Sequence, residues 1–309
     1  MKIFKPRFWN KKNNLISYAL FPFSFFLQIF LIIKKKISKK KKCSIPVICV
    51  GNIYLGGTGK TPLSIEIIEI LKKLKKKPAL VKKLYKEHDD EFRLIKSKGV
   101  KLFTNLSRYL AICEAEDNKF DCVVLDDGYQ DFTINKDLNI LCFNEKQLIG
   151  NGMVLPSGPL REPFSSLKRC QIVVINGDRN FQFEKKIKET SSDIEIYYSK
   201  YHPINIERFM SQNILAFAGI GNPENFFNLL EVNNLKLIKK ISYPDHYNYS
   251  LKELNKLINF SLKNNLKLIT TEKDFFRIKH YDLPQIQYLE VKLEIANKNK
   301  LEQKIIKYL

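Results

Sequence analysis

In VICVGNIYLGGTGKTP, Val47 to Pro62, an apolar run ends in Gly56, Gly57, Thr58 and Gly59, followed at once by Lys60 and Thr61. Glycines leave backbone N–H groups free to converge on an anion, the lysine adds a charge, and the threonine places a hydroxyl at a helix N-terminus. That is how a phosphate cradle is built. The pattern G-x-x-x-x-G-K-[ST] is met at Gly59, Lys60 and Thr61, while Tyr54 holds the position of its first glycine. Pro62 suits a first helical turn, where its missing N–H costs nothing.

A second element is DCVVLDDGYQD, Asp121 to Asp131. An apolar strand ending in Asp126 and Asp127 puts carboxylates where, with Thr61, they would hold magnesium opposite bound phosphates. Arg161, in PSGPLREP, is a cation for phosphate or for an anionic end of the substrate. In TTEKD, Thr270 to Asp274, the charged residues Glu272, Lys273 and Asp274 either line a cleft or form an ordinary acidic helix N-terminus. GIGNP, Gly219 to Pro223, reads as an architectural βα turn. The six cysteines form no metal-ligand spacing with each other or with histidine and read as reduced, mostly buried thiols.

The elements that position these residues follow from the hydrophobic pattern. From Ile45, short β-branched runs (IPVICV, PALV, DCVVLDD, LNILCF) alternate with helical, lysine-faced segments such as PLSIEIIEILKKLKKK. A second series follows, including QIVVIN, IEIYYSK, NILAFAG, LKLIKKI, LKLITT and IQYLEV, with helices over NPENFFNLLEVNN and SLKELNKLINFSLKNN. Alternation of this kind predicts α/β architecture, with parallel strands and crossover helices. The glycine- and proline-dense segment Gly150 to Pro163 separates the series as a linker or site loop. The expected division is an anchor over 1–43, a P-loop domain over 44–168 and a second α/β domain over 169–309.

Leu15 to Ile33 is an uncharged apolar stretch of about the roughly 20 residues that cross a bilayer. Pro22, Ser17, Ser24 and Gln28 weigh against a plain spanning helix, and lysines on both flanks give no orientation. The net charge of +21 is concentrated here: residues 1–50 contain no Asp or Glu and carry more than half of it. Cations beside an apolar helix add a second attraction to an anionic leaflet, so the segment reads as a membrane anchor, embedded or spanning.

In series, VGNIYLGGTGKTP, DDEF, DDGYQD, GNGMVLPSGPLRE, FAGIGNPENFF, YPDHYNYS and TTEKDFFR resemble the tetraacyldisaccharide 4'-kinases, the lipid A 4'-kinases of Gram-negative envelope biosynthesis. That family's phosphate loop reads GN, a variable stretch, then GGxGKT, so Tyr54 is no departure from it. The resemblance implies two Rossmann-like α/β/α lobes with the site between them, the first a P-loop NTPase-type domain, and an N-terminal hydrophobic membrane-anchor helix. It implies transfer of the γ-phosphate of ATP, with Mg2+, to the 4'-hydroxyl of a tetraacylated glucosamine disaccharide 1-phosphate, forming lipid IVA. It also implies action on the cytoplasmic face of the inner membrane. DDEF aligns with the family's GDEP and gives Asp90 as the acid, with Phe92 in place of proline, and YPDHYNYS supplies His246 as its pair. A carboxylate oriented by an imidazole takes the proton of a poorly nucleophilic sugar hydroxyl, typically for about 10²–10⁴ in rate.

Departures are local. The usual Ser-Arg-Gly-Tyr stretch appears as Lys82, Lys83, Leu84 and Tyr85, the loop before Asp90 is short, and Asp131 stands where histidine is usual. The expected partners are the acylated disaccharide and inner-membrane lipids, with no nucleic acid, and the expected state is a monomer. A membrane-associated P-loop ATPase switch acting on a protein is the alternative and would not need Asp90. A nucleic-acid-binding protein would interleave cations and aromatics on its folded domain, whereas the densest basic run here abuts the apolar segment.

Overall fold

The structure, a computed structural model of the 309-residue chain, describes residues 6–84 and 89–309, the side chains of residues 89 and 90 excepted. In chain order, α1 (Leu15–Ile37) precedes β1 (Val47–Gly51), α2 (Lys60–Lys73), β2 (Pro78–Lys83), α3 (Asp89–Ser97), β3 (Leu102–Asn105) and α4 (Arg108–Asp117). β4 (Cys122–Asp126), β5 (Leu138–Asn144), β6 (Ile172–Asn176), α5 (Phe181–Thr190) and β7 (Glu195–Pro203) follow. Then come β8 (Asn213–Ala218), α6 (Pro223–Val232), β9 (Lys236–Ser242), α7 (Leu251–Lys263), β10 (Lys267–Thr271) and α8 (Glu272–Ile278). β11 (Ile286–Leu289), β12 (Val291–Ile295) and α9 (Lys298–Ile306) complete the order.

The larger unit comprises Lys5–Tyr85, Lys98–Lys200 and Glu294–Leu309. Its sheet runs β12-β7-β6-β5-β1-β4-β2-β3. The pairs from β3 through β7 are all parallel. β1, β4 and β6 are buried along their whole length, as expected of strands covered on both faces by crossover helices. β4 lies between β1 and β2, and Asp126 is in register with Val50 on one side and Lys82 on the other. The phosphate loop follows β1, so three consecutive parallel strands deliver their C-terminal ends to one place, as ligand sites in open α/β sheets require.

Among the described residues, the smaller unit comprises α3 and Tyr201–Leu293. Its four strands run β11-β10-β8-β9, all parallel. Phe226, Phe227 and Leu230 of α6 pack on Ile214, Ala216 and Ile269 within one core cluster. Leu254, Leu257 and Ile258 of α7 join Leu215, Phe217 and Leu268 in another. The edge strand β9 exposes Lys236, Lys239 and Lys240, which disfavour addition of a further strand.

The units do not divide after residue 168, as expected from the glycine- and proline-dense segment. β6 and β7 extend the first sheet, residues 294–309 return to the larger unit, and α3 belongs to the smaller one. Apolar β-branched runs state that a strand is buried but not in which sheet, so QIVVIN and IEIYYSK fit either. The single run expected over IQYLEV is two strands, β11 in the second sheet and β12 in the first.

α1 buries an unusual face. Ser17 and Ser24 are its two buried residues, while Phe23, Phe26 and Phe30 are 64%, 68% and 58% exposed. Ser24 Oγ donates to Val154 O at 2.9 Å, lies 2.7 Å from Ser157 Oγ and accepts from Ser157 N at 3.1 Å. Asn151 Nδ2 donates to Ser17 Oγ at 3.1 Å. Leu27 packs against the core of the larger unit. The small polar side chains therefore hold the helix to the segment 151–157, and the phenylalanine-rich faces point away from the protein.

Candidate active site

The phosphate loop is closed by a residue that its motif does not highlight. Asn52 is fully buried, and its Nδ2 reaches Tyr54 O at 2.6 Å, Thr58 Oγ1 at 3.0 Å and Gly56 O at 3.3 Å. The loop is also paired from outside: Leu55 N donates to Pro159 O at 2.8 Å and Arg161 N to Ile53 O at 2.7 Å. Thus the stretch from Asn151 to Arg161 holds both α1 and the phosphate loop. Gly59 caps α2 at φ +95°, a left-handed conformation that glycine adopts without a Cβ penalty. Lys60 and Thr61 then occupy the first turn of α2, at its positive dipole end.

The two aspartates at the end of β4 separate. Asp126 is fully buried; Thr61 Oγ1 donates to its Oδ2 at 2.9 Å and Ser64 Oγ to its Oδ1 at 3.2 Å. Lys82 Nζ lies 2.6 Å from the same Oδ2 and 3.5 Å from Thr61 Oγ1. Neighbours in register on a parallel sheet send their side chains to the same face, which brings Lys82 to Asp126. Asp127 follows at φ +57° and turns its carboxylate elsewhere. Arg161 Nη1 binds both of its oxygens, at 2.9 and 3.1 Å, and Lys60 Nζ is 3.7 Å away. Burial alone would raise the Asp127 carboxyl, but Lys60 and Arg161 outweigh it and pull it down to about 2.

Of the expected metal ligands, the structure joins Thr61 with Asp126 and gives Asp127 to two cations. The hydroxyl and carboxylate oxygens around Asp126 are the hard donor set that suits Mg2+. Arg108 supports the turn, donating to Asp127 O at 2.7 Å and to Asp131 Oδ2 at 3.2 Å. Asp131 thereby has a structural partner at the position where histidine is usual.

In the smaller unit, TTEKD is a capped helix start and more. Thr271 accepts from Asp274 N at 3.1 Å, as an N-cap should. Asp274, fully buried, accepts from Gly219 N at 2.9 Å, Thr271 Oγ1 at 2.8 Å, Tyr249 Oη at 3.2 Å and Arg277 Nη1 at 2.6 Å. A Cβ on residue 219 would come within 2.6 Å of the Tyr249 hydroxyl, so Gly219 is required by close packing. This clamp carries His246, whose N donates to Gly219 O at 3.1 Å and whose φ is +55°.

Lys273 faces the imidazole: its Nζ is 3.1 Å from His246 Nε2 and 2.8 Å from Glu91 Oε1. An ammonium only donates, so in this contact Nε2 is placed to accept. Glu91 lies on α3 beside Asp90, and α3 is thus tied to the histidine turn. The side chain of Asp90 itself lies outside the described residues. Asn52, Ser64 and Lys82 were not expected at the site, and their signal lies in register and loop closure rather than in any motif.

A parallel α/β sheet whose glycine-rich turn, lysine-threonine pair and neighbouring strand-end aspartate converge in this way defines a phosphate-binding protein of the P-loop type. The chain belongs to the Tetraacyldisaccharide-1-P 4'-kinase family, LpxK, whose profile matches residues 16–309. It is 44% identical to the tetraacyldisaccharide 4'-kinase of Pelagibacter ubique, covering 99% of this chain and 98% of that one. It is 32% identical to that of Rickettsia bellii, covering 99% of each. The fold is similar to a crystal structure of LpxK from Aquifex aeolicus in complex with ATP, with a TM-score of 0.74 and 24% identity over 95% of this chain and 99% of that one.

Proposed function

We propose that the protein is a tetraacyldisaccharide 4'-kinase, transferring the γ-phosphate of ATP to the 4'-hydroxyl of a tetraacylated glucosamine disaccharide 1-phosphate in lipid A biosynthesis. The observation that carries this reading is the convergence of Lys60 and Thr61, on the first turn of α2, with the Asp126–Asp127 end of β4. Phosphoryl transfer asks the protein mostly for positioning and charge stabilisation.

The backbone of Gly56–Gly59 cradles the phosphates and Lys60 neutralises their charge. Thr61 and Asp126 would hold Mg2+, which when bound offsets the negative charge of the transferring phosphoryl group. Arg161 keeps Asp127 ionised and, through a buried Nε with no partner among the described residues, retains a donor for an anionic group. Asp90 takes the proton of the sugar hydroxyl as it attacks. His246 orients that carboxylate, and Lys273 donates to the imidazole.

α1 supplies the lipid access. Its serine face is held by the protein, so the exposed phenylalanines lie in the interface of the inner membrane's cytoplasmic leaflet, with Lys34, Lys35 and Lys36 at the headgroups. The protein acts there as a monomer. The test is incubation of the purified protein with labelled ATP and the acylated disaccharide 1-phosphate. Label in the lipid with wild type, and none with Asp90→Ala, supports the reading. ATP turnover at the same rate without lipid contradicts it and favours an ATPase switch.

A further inference from the structure

The least expected group at the site is the ammonium of Lys82. A buried lysine needs an ionic partner, and this one is 5% exposed with its Nζ 2.6 Å from Asp126 Oδ2. The same Nζ is 3.5 Å from Thr61 Oγ1. The carboxylate and hydroxyl expected to receive a divalent cation thus already share a monovalent one. Its place is built into the sheet, since Lys82 and Asp126 pair in register at the ends of β2 and β4.

We propose that Lys82 is a resident cation of the nucleotide site. It neutralises Asp126 before nucleotide binds, adds a second ammonium to that of Lys60 for phosphates that arrive without metal, and competes with the divalent ion for Asp126. Towards the metal, Lys82 acts through Asp126 and Thr61. The proposal rests on the kinase reading of the same site. It predicts an enzyme that binds free nucleotide unusually well and divalent metal unusually weakly.

The experiment is direct binding, independent of turnover. Mn2+ bound in the presence of the β,γ-imido analogue of ATP is measured by electron paramagnetic resonance, and metal-free binding of the analogue by calorimetry. Wild type, Lys82→Ser, Lys82→Met and Lys82→Arg are compared. Lys82→Met keeps most of the apolar stem while removing the charge, and provides the measurement if Lys82→Ser does not fold. The expected result is Mn2+ affinity about 10-fold tighter in the uncharged variants, metal-free analogue affinity about 10-fold weaker, and Lys82→Arg close to wild type. Unchanged or weaker Mn2+ binding in both uncharged variants, with the analogue still bound, overturns the resident cation alone. Failure of the wild type to bind the analogue at all overturns the kinase reading with it.

Discussion

Lys273 Nζ lies 3.1 Å from His246 Nε2 and 2.8 Å from Glu91 Oε1, so one ammonium bridges the histidine turn after β9 and the helix that carries Asp90. The bridge stays within the smaller unit, whereas the phosphate loop belongs to the larger. Loss of this bridge is therefore expected to slow the chemical step and to leave nucleotide binding alone. Lys273→Met should lower kcat about 10-fold and His246→Ala about 10²-fold. In both variants the affinity for ATP, measured by calorimetry, should match wild type. A parallel loss of nucleotide affinity would show that the bridge shapes the nucleotide site instead.

Asp127 gives a pH dependence with a definite sign. Its carboxyl titrates at about 2 in the folded protein, below the ordinary value of 3.8, because Lys60 and Arg161 outweigh the opposing effect of burial. A depressed folded value means that the ionised group stabilises the fold fully above its unfolded pKa. That contribution fades as pH falls from near 3.8 towards 2. Asp127→Asn should be less stable than wild type in denaturant titrations at pH 5 to 7, with the gap closing between about pH 4 and 2. A gap constant across that range would contradict the assignment.

Asn52 is the test of loop closure. Its Nδ2 is within hydrogen-bond distance of three acceptors in the phosphate loop, and removing this buried donor costs about 1–3 kcal/mol. Asn52→Ala should lose stability of that order and bind ATP about 10-fold more weakly, both read from thermal unfolding with and without nucleotide. Retained nucleotide affinity would mean that the glycines hold their conformation unaided.

The two sides of α1 should separate in mutagenesis. Ser24→Ala removes an acceptor for Ser157 N and is expected to destabilise the protein by about 1–2 kcal/mol while leaving vesicle binding intact. Phe26→Lys with Phe30→Lys changes exposed positions and should leave stability within about 0.5 kcal/mol. Flotation with anionic vesicles should then fall several-fold, despite the added positive charge. Unchanged flotation would mean that the lysines alone carry the attachment.

Part of the candidate site stands in order along the chain. The glycines, Lys60, Thr61 and the aspartates stand in a local pattern whose purpose follows from backbone geometry. The separation of Asp126 from Asp127 was not legible, because it depends on a left-handed φ at residue 127. The pairing of Lys82 with Asp126 was hidden for a different reason, and so was that of Lys273, which TTEKD offered only as one of two readings, with His246. One is placed by strand register and the other by the contact of α8 with α3, and neither relationship has a local signature. Ser17 and Ser24 read as interruptions of an apolar stretch and prove to be its contact with the protein. The unit boundary was misplaced because a covered parallel strand looks alike in either sheet.

Four of the six cysteines, Cys49, Cys122, Cys142 and Cys170, are buried. Burial raises the Cys49 thiol to about 11 and those of Cys122, Cys142 and Cys170 to about 12, which keeps them protonated and unreactive at neutral pH.

The central claim is transfer of a phosphoryl group to one particular oxygen, and phosphorus NMR of the product reads it most directly. After reaction of ATP with the acylated disaccharide 1-phosphate, the account predicts a new phosphate monoester resonance correlated with the proton on the 4' carbon of the non-reducing glucosamine. Inorganic phosphate as the sole new signal, or a pyrophosphate at the 1-position, would contradict it.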